Sequence, residues 1–365
     1  MQFRRIETNI KSNMILLFAL SGWLIALLLA LRSERSYRSL PRLSDAKTTR
    51  KLPSLSIIIP ARNEAENLPK LLGSLRQLQY PAPLEILVVD DQSTDATAQI
   101  ALTNGVRVLS LGALSQGWLG KPHACQRGVE TTSGELILFT DADTFHAPES
   151  VAATVSYLVE HELDGLSMFL QQHTRSALDA SALMMAFAAL FAASGPQTGL
   201  LNGQYILLKR SAYLDSGGFA AVRNKPLEDV ALGKLLQKGG YRIALLRGES
   251  LADVQMYQSP RQLWNGLTRL GSGALGETGP AAALTILYTT LIASPLVLFP
   301  LLPAPLWMFL WVSSAIFFIT WARRFGHIAI CLLAPAAATL IVASGVWGIV
   351  QRLTKRGNLW KGRRV

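Results

Sequence analysis

Asp141 and Asp143 close the run LILFTDADT (136–144), and Asp90 and Asp91 close ILVVDDQSTD (86–95). Each pair follows a short, continuous apolar segment that reads as a buried strand. Either pair alone also fits a turn or a helix cap, because Asp favours both. Two neighbouring strands tipped with acids would concentrate negative charge that contributes little to a fold. Such carboxylates suit Mg²⁺ or Mn²⁺, hard cations that keep water and substrate phosphates as their other ligands. A third acidic pair, Glu228 and Asp229 in LEDVAL, reads by itself as an acidic first helical turn favoured by the helix dipole. Asp95 reads as a local helix-start residue. The histidines show no metal-ligand spacing, and His146 is the one placed close after Asp143.

These residues need a scaffold, and the pattern from 55 to about 270 supplies one. Strand-like runs fall at 55–60, 84–89, 106–109, 136–139 and 166–170, with helix-like segments at 66–78, 94–103, 121–131 and 149–161. The alternation predicts an α/β domain with a mainly parallel sheet covered on both faces. Ligands of such sheets bind beyond the carboxyl ends of the strands, where Asp90, Asp91, Asp141 and Asp143 fall.

The 365-residue chain is 50% hydrophobic and 16% charged, which leans towards a membrane protein. Its net charge of +11 is concentrated at the ends: residues 1–51 hold ten Lys/Arg against three acids, and 323–365 hold eight against none. That distribution fits the positive-inside rule and anionic headgroups better than a nucleic-acid groove. Residues 14–31 form an uncharged run long enough to span a bilayer, which predicts an N-terminal anchor within 1–31. The more basic flank that follows, a linker over 32–54, places the catalytic domain in the cytoplasm. Residues 281–350 read as a bundle of about three spans, near 281–301, 305–322 and 328–350, followed by a basic tail at 351–365. The apolar stretch 180–195 is short for a span; it reads as a buried helix or as one lying at the membrane surface. Two cysteines, Cys125 and Cys331, exclude a disulfide framework.

Six motifs in order, SIIIPARNEAENL, EILVVDDQSTDAT, GKPHACQRG, LFTDADT, SGGF and EDVALGKLLQKGGYRI, resemble those of family-2 glycosyltransferases over roughly residues 54–245. The resemblance implies a GT-A fold with a Rossmann-like nucleotide-binding half. It also implies an inverting sugar transfer from a nucleotide diphosphate sugar, probed most naturally as a UDP-hexose, with Mg²⁺ or Mn²⁺. By the same resemblance Asp91 holds the nucleotide base beside Asp90, and Pro60, Ala61 and Glu64 form the first nucleotide-contacting loop. Gly120 and Lys121 approach the diphosphate. Asp141 and Asp143 form the metal motif, with Asp143 the direct ligand. Asp229 is the base with Glu228 beside it, and Gly217 and Gly218 precede the acceptor site. Arg261 and Trp264 fall on the acceptor side.

The chain departs from the processive pattern Q-x-x-R-W: QSPRQLW has Gln258 and Arg261 but Gln262 in place of the tryptophan. The departure favours addition of a single sugar over polymer synthesis. The layout resembles a membrane-bound subgroup that includes carotenoid (hydroxychlorobactene-type) and hopanoid-associated glycosyltransferases. It implies a lipid acceptor, a hydroxylated carotenoid in the first reading and a hopanoid, ceramide-like or polyprenyl-phosphate lipid in the alternative. The implied location is a bacterial inner membrane. Two other classes compete. A nucleotidyltransferase would carry a Gly-rich loop after the first strand, which PARNEAEN lacks. A non-catalytic assembly protein would have lost Asp143 or Asp229, and both are present.

Overall fold

Three consecutive isoleucines show how the sheet is held. Ile57 and Ile59 face one apolar cluster and Ile58 the other, all at 0% exposure, so their strand is covered on both sides. The computed structural model describes residues 2–43, 51–194, 201–277, 279–354, 359–360 and 363–364.

The strands are β1 (Leu55–Ala61), β2 (Leu84–Asp90), β3 (Arg107–Ser110), β4 (Leu136–Thr140), β5 (Thr144–His146), β6 (Gly165–Phe169), β7 (Gln171–Gln172), β8 (Tyr205–Lys209), β9 (Ile243–Arg247) and β10 (Ala252–Val254). Seven of them form one sheet in the order β3-β2-β1-β4-β8-β6-β9, and β5, β10 and β7 form a small second sheet. The main sheet is parallel except for β8, which runs antiparallel to β4 and to β6. The strands tipped with acids are not neighbours, as the sequence suggested, because β1 lies between β2 and β4. Chain order and spatial order part company there: β1 starts the sheet, and the chain then builds outward on either side of it. The strands β2 and β4 that lead to Asp91 and Asp141 are therefore two strand spacings apart, about 10 Å, beside the switch point where such sheets open a crevice.

The helices are α1 (Gln2–Arg38), α2 (Leu68–Leu75), α3 (Thr97–Thr103), α4 (Gly120–Glu130), α5 (Ser150–Glu160), α6 (Ala177–Ala193), α7 (Arg210–Asp215), α8 (Gly218–Ala221), α9 (Glu228–Lys238), α10 (Pro260–Glu277), α11 (Pro280–Val297), α12 (Ala304–Phe317), α13 (Ile319–Arg324) and α14 (Ala334–Leu353). Apolar residues of α2 and α5 meet one face of the sheet; those of α4 and α9 meet the other.

A third apolar cluster joins α1, α6, α11, α13 and α14. Most of helix α6 is buried within it, up to Ala193; Gly195 lies outside the described residues. Ser176 caps it by accepting the Asp179 N–H. α1 does not stop at residue 31, where a linker was expected. It runs to Arg38 because its polar residues find partners: Ser33 donates to the Ala188 carbonyl, and Glu34 takes the Arg324 guanidinium at 2.8 Å. Residues 44–50 of the expected linker, and 355–358, 361–362 and 365 of the expected basic tail, lie outside the described residues.

The C-terminal region differs from three uniform spans. α11 ends at Val297, and the 305–322 stretch is broken at Phe318 into α12 and α13. The last stretch opens with a 3₁₀ turn (Ile328–Leu333) because Pro335, in the first turn of α14, has no N–H to carry an α-helix back through it. Among the described residues one segment, Ile328–Leu333 continuing through α14, is long and apolar enough to cross a membrane, by length and composition only.

Candidate active site

The antiparallel β8 creates the site. Its first residue, Tyr205, pairs with Thr140, the last residue of β4. The residues entering β8 therefore lie beside the residues leaving β4, and the loop 201–204 meets the motif Asp141-Ala142-Asp143.

Gly203 is the centre of this arrangement. Its N–H donates to Asp229 Oδ2 at 2.7 Å, and its carbonyl accepts from Lys121 Nζ at 3.2 Å. Lys121 Nζ also sits 2.5 Å from Asp141 Oδ1 and 3.9 Å from Glu228 Oε1. Arg269, on α10, reaches Glu228 Oε2 at 3.2 Å. Three acids (Asp141, Glu228 and Asp229) and two cations, from four segments, thus converge around the 201–204 loop. Burial works against the Lys121 ammonium, but the Asp141 and Glu228 carboxylates outweigh it and hold its pKa above the ordinary value. Glu228, 3% exposed, is pushed upward by burial, against the pull of Arg269 and Lys121.

Asp143 stands apart from these pairs. Its Oδ1 is buried without a hydrogen-bond partner among the described residues. Burial and then the Asp141 carboxylate push its pKa up to about 7, as for an acid whose counter-charge is missing. An orphaned oxygen beside a second carboxylate fits a divalent cation. Among the described residues no three acids, histidines or cysteines form a protein cage. A cation held by Asp143 and Asp141 would take its other ligands from water and phosphate oxygens, the habit of Mg²⁺. Behind the motif, Thr144 Oγ1 donates to the Asp141 carbonyl, and Thr140 Oγ1 lies 3.0 Å from His146 Nε2. His146 thus serves the support of the motif, and burial lowers its pKa to about 4.

At the end of β2, Asp91 is 4% exposed, and its N–H donates to the Ala61 carbonyl. Pro60 and Ala61 end β1 beside it, so the expected nucleotide loop and Asp91 do come together. Arg62 donates to the Asp91 and Gln92 carbonyls, and Asn63 Oδ1 accepts the Thr94 N–H. Asn63 (φ 54°) and Gln92 (φ 58°) are both left-handed, which marks a loop pair held in a sparsely populated conformation. Glu64 is buried and accepts from Asn67 Nδ2, while Gln258 Nε2 donates to Asn67 Oδ1. Asp90 is occupied by its own turn, accepting the Ser93 N–H, and Asp95 holds the start of α3 through the Thr97 N–H.

Other expected residues are less central. Gly120 opens α4 and delivers Lys121. Gly217 (φ 82°) and Gly218 (φ 50°) are left-handed, and a Cβ on Gly218 would lie 2.3 Å from the Tyr213 ring, so the pair packs a turn. Arg261 is exposed and Trp264 half-buried on α10; no hydrogen bond or ion pair joins either to the acids among the described residues. Neither Gly203 nor Arg269 was among the candidate site residues read from the sequence.

A Cβ on Gly203 would lie 3.0 Å from both Asp229 Oδ2 and Lys121 Nζ. Gly203→Ala is expected to displace both groups and lower turnover roughly tenfold to a hundredfold, measured as kcat beside an unfolding curve close to wild type.

Residues 56–230 match the family model Glycosyl transferase family 2. Among curated proteins, the chain is 28% identical over 240 residues to the 4,4'-diaponeurosporenoate glycosyltransferase of Staphylococcus haemolyticus, covering 62% of each chain. It is 31% identical over 238 residues to the Staphylococcus aureus enzyme of the same name, covering 62% of this chain and 63% of that one. The matched stretch thus spans less than two thirds of these relatives. Among solved structures, it resembles a mannosyltransferase from Pyrobaculum calidifontis in complex with GDP-Man and Mn²⁺, at a TM-score of 0.59 and 18% identity over 90% of this chain and 96% of that one. That likeness establishes the fold. Residues 56–230 thus match the family-2 glycosyltransferase model on a domain with the GT-A fold.

Proposed function

We propose that the protein is a membrane-held, inverting glycosyltransferase that moves one sugar from a nucleotide diphosphate sugar to a lipid acceptor. The observation that carries this reading is the convergence of Asp143, with its orphaned oxygen, and Asp229, oriented by the Gly203 amide, on one edge of the sheet.

Each residue has a task in it. Asp91, with Pro60, Ala61 and the Glu64 loop, receives the nucleoside; the two strand spacings to Asp141 give it room to lie along the edge of the sheet. Lys121 offers its ammonium to the diphosphate. Asp143 and Asp141 would hold Mg²⁺ or Mn²⁺, which, when bound, offsets the charge developing on the leaving diphosphate. Asp229 accepts the proton of the acceptor hydroxyl as that oxygen attacks the anomeric carbon from the face opposite the leaving group. The Gly203 N–H fixes one oxygen of Asp229, and the carboxylate's orientation with it.

The acceptor reading rests on two supports. The curated relatives are named for a carotenoid, and α10 of the domain packs along α14, part of the segment apolar enough to cross a membrane. We therefore place the acceptor, a hydroxylated carotenoid or similar polyisoprenoid lipid, in the bilayer, with the domain on the cytoplasmic face of a bacterial inner membrane. The relatives' name ends in "-oate", which favours a second form of the same reading: an acceptor carboxylate, giving a glycosyl ester.

Membranes holding the wild-type chain, given Mn²⁺, UDP-[¹⁴C]glucose or GDP-[¹⁴C]mannose and a carotenoid extract, are expected to yield a labelled lipid that chelator abolishes. Mild alkali would release the sugar from an ester and leave an ether-type glycoside intact. No labelled lipid from either donor, with folded protein, would sink the reading.

A further inference from the structure

Arg269 was not among the candidate site residues read from the sequence, yet among the described residues it makes the nearest charged contact to Glu228. We propose that Arg269 is a positioning residue for sugar transfer: it holds the Glu228 carboxylate in place from α10 and so keeps Asp229 and Lys121 in their working geometry. This role rests on the function proposed above.

Glu228 opens α9, and Asp229 is the next residue along the same backbone. A buried carboxylate must be paired, or it takes up a proton or moves. Two cations serve Glu228: Arg269 at 3.2 Å and Lys121 at 3.9 Å. Lys121 is already committed to Asp141 at 2.5 Å. Without Arg269, Glu228 would depend on a shared and more distant ammonium. The available relaxations are movement of Lys121 away from Asp141, or rotation of the first turn of α9 with Asp229 on it. Either one separates groups that the transfer step needs together.

The support behind Arg269 is rigid, as a positioning group requires. It projects from a helix whose Leu263 and Leu267 are buried and which packs along α14. Gly266 lets the Tyr257 ring lie directly on that helix; a Cβ there would come 2.3 Å from the Tyr257 hydroxyl oxygen. The guanidinium's planar fork also reaches a buried carboxylate in a way an ammonium matches only in part.

The test uses full-length protein in its membrane, with labelled nucleotide sugar as donor, comparing wild type, Arg269→Met, Arg269→Lys, Glu228→Gln and the double variant Glu228→Gln/Arg269→Met. Arg269→Met is expected to lower kcat about a hundredfold with donor KM within about threefold of wild type, a split that belongs to geometry rather than donor binding. Arg269→Lys is expected to recover about a tenth or more of wild-type turnover. In the double variant the two losses should fail to multiply, because Arg269 acts through Glu228. Arg269→Met within about twofold of wild type, or losses that multiply fully, overturns the role. If Arg269→Met does not fold, the double variant, which leaves no unpaired buried charge, and Arg269→Lys decide the matter by the same comparison. A wild-type protein that transfers no sugar overturns the proposed function, and this role with it.

Discussion

Asp229→Asn is expected to lower turnover roughly a thousandfold, with donor KM nearly unchanged. The asparagine keeps the size and most of the hydrogen bonding, including an oxygen for the Gly203 N–H, so the fold and the loop at 201–204 should survive. What it loses is the ability to take a proton from the acceptor hydroxyl. A thousandfold is about 4 kcal/mol of transition-state stabilisation, well above what misplacement of a still-competent base would cost. The measurement is initial rate against donor concentration, with the unfolding curve as control. The acceptor's chemistry enters here too. An acceptor carboxylate is already an anion at neutral pH and needs no base, so a loss below about tenfold, together with an alkali-labile product, would assign the ester form of the reaction.

Asp143→Ala carries the other large effect. Wild type is expected to bind Mn²⁺, read by the loss of the free-ion signal in electron paramagnetic resonance, more tightly once nucleoside diphosphate is present. The alanine variant should lose at least about a hundredfold in that affinity and most of its transferase activity. Stability should rise or stay level, because the substitution removes a buried carboxyl oxygen that has no partner among the described residues. That combination, weaker metal with an undamaged fold, separates a ligand from a structural acid. Unchanged Mn²⁺ binding would show that the cation is held elsewhere. Asp141→Ala should behave differently: it removes the partner of Lys121, so a loss in stability is expected with the loss in activity.

Much of the scaffold was legible because its strands are buried on both faces. Runs such as LSIII and LILF carry no polar residue that burial would punish except Ser56, which is paired with Glu85. Those runs had to be strands, and the acids that follow them had to sit at one edge. Strand adjacency was not legible: nothing local in β1 says that it will sit between β2 and β4. The region after residue 200 was harder still. YILLK reads as apolar, but its direction in the sheet depends on pairing with residues some seventy positions earlier. Gly203 and Arg269 became visible only through that pairing and through the packing of α10, since neither stands in a spacing that implies an acid partner. In the C-terminal region the prolines between 295 and 305 were legible as breaks, but the interruption at Phe318 was not, because hydropathy alone runs α12 and α13 together.

The reversal of β8 also dictates an order of assembly. A chain leaving the ribosome can pair β1, β2, β3 and β4 as soon as residue 140 has emerged, because these strands are mutual neighbours. The half with Asp91 and Asp143 is then in place, and nothing can yet react. β6 has no neighbour until β8 inserts between it and β4, and the Gly203 amide comes only with that insertion. Asp229 follows, and Arg269 last of all. Pairing across so many residues is slow because the entropy of closing the loop is lost before the contacts form. On the proposed function, the acceptor side of the site is thus expected to be the final contact of the domain to close, and a chain truncated before α10 to keep a donor-side half with little or no transfer.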